Sequence, residues 1–77
     1  MPDEERELER AAQHVAAGKA IIAQQHERIA TLKAAGHPVE EHERLLKVFA
    51  HTLEALEAHH RLLLREVAEA RKNNRGR

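Results

Sequence analysis

Apolar side chains recur along this chain with the period of a helix seam, once before residue 35 and again after residue 38. In the first half Leu8, Val15, Ile22 and Ile29 stand seven residues apart at a position labelled a, and Ala11, Gly18, Gln25 and Leu32 occupy the matching d. In the second half Val39, Leu46, Leu53, His60 and Val67 fall at a, and His42, Phe49, Leu56, Leu63 and Ala70 at d. The pattern predicts two long amphipathic helices, at about residues 3–35 and 38–72. Between them Gly36 suits the left-handed residue that ends a helix, His37 an N-cap, and Pro38 the first helical position, where its missing N–H costs nothing. Glu40 and Glu41 follow in the first turn, where the helix dipole favours negative charge. A continuous helix through Gly36 and Pro38 would lose roughly 3 kcal/mol or more, so the chain turns there. The expected fold class is therefore all-α, an antiparallel two-helix hairpin. It forms one domain over residues 1–72, followed by a flexible basic tail at 73–77 that lacks apolar anchors.

Folding at that break sets a register. Pairing a with a brings Leu8 to Val67, Val15 to His60, Ile22 to Leu53 and Ile29 to Leu46. Pairing d with d brings Ala11 to Leu63, Gly18 to Leu56, Gln25 to Phe49 and Leu32 to His42. Small residues of the first helix then face large ones of the second, as interdigitation requires. Glycine in mid-helix costs about 1 kcal/mol relative to alanine, and close approach by Leu56 accounts for Gly18. Gln25 is a polar residue on the seam, of the kind that fixes register. On the exposed side, Glu40/Arg44, Glu43/Lys47 and Glu57/Arg61 are spaced for i,i+4 ion pairs.

One hairpin leaves apolar surface unused. Leu45, Val48, Thr52, Ala55, His59 and Leu62 form a second stripe beside the d edge of the second helix, and the first helix carries Ile21 with an alanine band of Ala12, Ala16, Ala23 and Ala30. Such patches on small proteins mark contact surfaces. A two-fold pairing into a four-helix bundle covers them most simply, so a homodimer centred on the second helix is expected, with those six residues as its interface.

Composition narrows the field further. The chain is 77 residues long and contains no cysteine, so disulfides cannot reinforce a core of this size. Phe49 is the only aromatic residue. No apolar run approaches the roughly 18 residues of a membrane span, and the acidic start Asp3-Glu4-Glu5 is unlike a secretion signal. The expectation is a soluble, cytoplasmic protein without a membrane partner. Formal charge is zero, from 13 basic and 13 acidic side chains, so no global field draws in nucleic acid. Acids crowd the start of the first helix and bases the end of the second. In a hairpin the two clusters become neighbours.

The run Gln13-His14-Val15-Ala16-Ala17-Gly18, then Ile22, Gln25, Ile29, Leu32, Gly36-His37, Leu45-Leu46, Phe49, Leu53 and His59, resembles a group of short uncharacterised helical-hairpin proteins of alphaproteobacteria, rhizobial relatives especially. The resemblance covers about residues 11–64, and the Gly-His break is its most distinctive part. Pro38 stands where that group carries aspartate, so the cap differs. The resemblance implies no activity, cofactor or site residue.

Seven histidines are the one compositional oddity that could carry chemistry. The register brings His14 near His59 and His60, the only candidate metal ligands. No two histidines are spaced i,i+4, and no HExxH occurs. Glu57-Ala58-His59-His60 matches the Glu-x-x-His of di-iron bundles, but the opposing Val15, Ala16, Ala17 and Gly18 supply no carboxylate. Packed or surface histidines are the default, with no metal or other cofactor expected. Charging His42 and His60, which fall on the seam, would place cations in an apolar interface below about pH 6.5, a possible pH response. Thr31 and Thr52 are the only hydroxyl side chains, and a two-helix hairpin has little room for a pocket, so catalysis is not expected. The favoured class is a dimeric structural or regulatory module whose partner is itself and another protein. The alternatives are an RNA-binding dimer resembling the Rop hairpin and a histidine-based metal-binding or pH-responsive protein. The RNA-binding reading is opposed by the mixing of Arg10, Lys19, Arg28 and Lys33 with acids.

Overall fold

In a computed structural model, which describes residues 2–75, the chain forms two helices, α1 (Pro2–Ala34) and α2 (Glu40–Arg75), packed against each other as a hairpin. The rod measures 65 × 15 × 14 Å.

The end of α1 follows the expected chemistry. Gly36 has φ +79°, in the left-handed region where a side chain would be strained. Its N–H donates to the Lys33 carbonyl at 3.0 Å, and the His37 N–H reaches back to the Leu32 carbonyl at 2.9 Å. This pair of bonds is the Schellman closure, which satisfies carbonyls that the helix end would otherwise leave without partners. The start of α2 differs from expectation. Its first forward bond runs from the Glu43 N–H to the Val39 carbonyl, at 2.9 Å. Val39, not His37, is therefore the cap residue, and Pro38 stands outside the helix rather than at its first position. No forward bond to the His37 or Pro38 carbonyl precedes that one, so these two residues form the link between the helices. Val39 is meanwhile turned inward, 6% exposed. At its far end α2 continues to Arg75, three residues past the expected 72. Nothing in Asn73-Asn74 breaks a helix outright. Gly76 and Arg77 lie outside the described residues.

The seam is the one the heptads predict. Every a and d residue from Leu8 to Ala70 is buried or half-buried, and the only other described residue that is not exposed is Glu57. Two helices cannot enclose much, and no described side chain is fully buried. The best-covered residues form two groups. Ala11, Val15, Leu63 and Val67 lie toward the open end, and Ile29 and Val39 toward the turn. Between them Gly18, Ile22 and Gln25 on α1, with Leu46, Phe49, Leu53, Leu56 and His60 on α2, are only half-covered.

Three ion pairs lock this register from one side. Arg71 Nη2 donates to Glu5 Oε1 at 3.2 Å, Lys19 Nζ lies 3.9 Å from Glu57 Oε2, and Lys33 Nζ lies 3.6 Å from Glu43 Oε2. All six residues occupy heptad position e, next to a, and successive pairs are two heptads apart on both helices. The Glu5–Arg71 contact joins the acidic and basic clusters at the open end. The local pairings expected of Glu43 and Glu57 are replaced, because both point along the flank where a lysine of α1 arrives. Arg44 pairs with Glu41 at 3.0 Å, one turn back, rather than with Glu40. These groups are mostly exposed, so each pair stabilises by about 0–1 kcal/mol and serves chiefly to fix alignment.

Candidate functional site

The hairpin has two unlike flanks. The e flank carries the ion pairs. The opposite flank is built from positions g and c, beside d, and there α2 presents Leu45, Val48, Thr52, Ala55, His59 and Leu62, all exposed. Leu45, Val48 and Leu62 are 50%, 55% and 47% exposed, and Ile21 on α1 is 45% exposed on the same side. Leu64 is the remaining large exposed apolar residue among those described, isolated on the e flank across from Ala12.

The predicted stripe therefore exists as one surface, and the structure adds what lies under it. A hollow of about 320 Å³, almost wholly apolar, opens beside Gly18 and Ile21 on α1 and Phe49, Thr52 and Leu53 on α2. It sits over the half-covered middle of the seam. Gly18 is its floor. A Cβ built there would lie 3.2 Å from Leu53 Cδ1 and 3.8 Å from Leu56 Cδ1, so Leu53 approaches more closely than the expected partner, Leu56. The alanine of this face is Ala17, which lines the same hollow. Ala12, Ala16, Ala23 and Ala30 fall at e and b, on the other side of α1, and do not extend it. The hollow was not visible in the heptads, although Gly18 facing two leucines in one helical turn was its available signal.

Gly18→Ala is expected to raise stability slightly, by less than about 1 kcal/mol. The gain in helix propensity is about 1 kcal/mol, and the only tight neighbour is the movable tip of a leucine. Urea midpoints of the two chains check this. A destabilised variant would mean that Leu53 cannot give way.

The polar candidates are arranged less productively. His14 and His59 line one shallow depression with Glu7, Arg10 and Ala11. His60 is set apart at a seam position, half-buried, as is His42. Among the described residues no three His, Cys, Asp or Glu side chains are placed to hold a metal ion together. Thr31 and Thr52 both donate their hydroxyls to their own helix, to the Glu27 and Val48 carbonyls at 3.0 Å. Thr52 thus adds no free donor to the apolar face. No described helix is long and apolar enough to cross a membrane.

Comparison with family models, with curated proteins and with solved structures returns no match.

Proposed function

We propose that this chain is a dimeric helical interaction module that pairs with a second copy through the g and c flank and presents its remaining helical surface to a protein partner. One observation carries the proposal: among the described residues, four of the five large exposed apolar side chains lie on the flank on which the hollow beside Gly18 opens. An isolated hairpin leaves that stretch in contact with water. A partner that covers it completes the core and gains the area-proportional stabilisation of apolar burial. The charges are compatible with this division, since the ion pairs occupy the other flank and would stay exposed.

An RNA-binding reading has less support. Lys19 and Lys33, two of the cations a phosphate backbone would need, are engaged with Glu57 and Glu43. No catalytic role is proposed. A cytoplasmic setting rests on the cysteine-free composition. The likeness to short alphaproteobacterial hairpin proteins belongs to the same proposal and assigns no chemistry.

Sedimentation equilibrium tests the reading. The native chain is expected to run as a dimer at micromolar concentration. Val48→Lys, which sets a charge on the exposed face without touching the seam, is expected to run as a monomer of unchanged helicity. A native monomer at hundred-micromolar concentration would overturn the proposal.

A further inference from the structure

The pairing has a direction, and the surface that makes it also fixes it. We infer that two copies meet flank to flank with each α2 lying against the other's α2 in the opposite sense, about a two-fold axis passing near Ile21 and between Thr52 and Ala55. This inference rests on the dimer reading above.

The shape of the stripe is the first reason. Leu45, Val48, Thr52, Ala55, His59 and Leu62 are spaced three, four, three, four and three residues apart, a pattern that reads the same from either end. The bulky leucines stand at the two ends and the small Thr52 and Ala55 in the middle. Turned end for end, the stripe sets Leu45 against the second copy's Leu62, Val48 against its His59, and Thr52 against its Ala55. The small central residues allow the closest approach where the axis passes. The hollow beside Gly18 and Ile21 lies at this level, so the second copy's Ile21, itself 45% exposed, arrives there as the group to fill it.

Charge is the second reason. In the same-direction alignment, equivalent levels coincide. Glu7 and Glu66 of both copies, all at position g, would then form a ring of four carboxylates. The opposed alignment separates them. It divides the ring between the two ends, where each Glu7–Glu66 level meets the second copy's Ala35 and one carboxylate, Glu41, which has Arg44 beside it at 3.0 Å. It also brings Arg28 beside the second copy's His14, one heptad short of Glu7.

Area is the third. With the axis at Ile21, the copies overlap for about 45 Å, twice the rise from residue 21 to the turn. Across a face 15 Å wide, this gives on the order of 700 Å² per copy in projection, and more once side chains interlock. That approaches the roughly 800 Å² per partner of a stable interface.

The native chain has no cysteine, so single introduced thiols report proximity directly. Leu45→Cys and Leu62→Cys chains, mixed in equal amounts and oxidised, are expected to yield the mixed disulfide in at least tenfold excess over either homodisulfide. Leu64→Cys, as exposed as Leu62 but on the e flank, is expected to cross-link with neither. Val48→Cys with His59→Cys repeats the reading if either leucine variant loses helicity. A dominant Leu45→Cys homodisulfide, or a statistical mixture in a chain that sediments as a dimer, overturns the opposed alignment while leaving the dimer standing. A chain that sediments as a monomer overturns both.

Discussion

Leu63→Ala is expected to leave most of the chain unfolded at room temperature, while Leu64→Ala, one residue on, changes stability by less than about 1 kcal/mol. Leu63 is 7% exposed at a d position, in the best-covered part of the seam with Ala11, Val15 and Val67. Its register partner is Ala11, itself 6% exposed and too short to move into the space a truncated leucine would leave. Leucine-to-alanine changes at such sites cost about 2–5 kcal/mol, the higher values where the site cannot collapse. A single thin core of this size supplies only about 3–5 kcal/mol in total. Leu64, by contrast, is 47% exposed on the ion-paired flank and has little burial to lose. Urea titration followed by far-ultraviolet circular dichroism, with both variants at one fixed concentration so that any self-association contributes alike, separates the two. Equal losses at both positions would mean that the seam does not carry the fold.

How far such residues could be identified in advance differed from one part of the molecule to another. The seam was legible because it follows from a period. A residue's place at a or d determines its burial whatever its neighbours are, so Leu8 through Ala70 were placed correctly. The Gly36 turn was legible because few residues tolerate a positive φ. The start of α2 was not, because His37 followed by proline satisfies the local rules for a cap, and only the packed helices show Val39 turned inward with its carbonyl taking the first bond. The ion pairs were misread for a related reason. Glu43 and Glu57 each have a local basic residue at i+4, but also a lysine arriving from α1 at position e, and only the packed helices show which is reached. On the candidate face, the stripe of Leu45, Val48 and Leu62 could be read from one helix alone. The hollow at Gly18 could not, since it is made by the depth to which Leu53 and Leu56 pack against a missing side chain.

Gly36→Ala with Pro38→Ala is expected to turn the hairpin inside out. Alanine at Gly36 would be strained at φ +79°, by roughly 1–2 kcal/mol, which weakens the turn. The same two changes remove the roughly 3–4 kcal/mol that glycine and proline together impose on a straight helix. The balance then favours one continuous helix of about 110 Å, at 1.5 Å per residue. Its seam would be covered by a second chain lying antiparallel, α1 of each against α2 of the other, with the native contacts exchanged between chains. The a positions step from Ile29 to Val39, three residues more than a heptad, which leaves the two apolar stripes about 60° apart, within one helix face. Small-angle scattering reads the outcome. The radius of gyration is 18.0 Å for the hairpin and would rise to about 30 Å for a rod of that length. Pairing two hairpins side by side adds little by comparison. A variant that keeps the native value would show that the seam alone holds the bend.

The unlike flanks also limit how large an assembly can grow. Filaments form when a sticky surface on one molecule meets a different receptive surface on the next, so that every addition exposes another site. Here the contiguous apolar residues are on one flank, and the other is lined by Glu5, Arg71, Lys19, Glu57, Lys33 and Glu43, with Leu64 alone among them. A rod with a single adhesive side uses it up in its first encounter. Under the proposed pairing, growth would stop at two copies, with the ion-paired flanks facing outward.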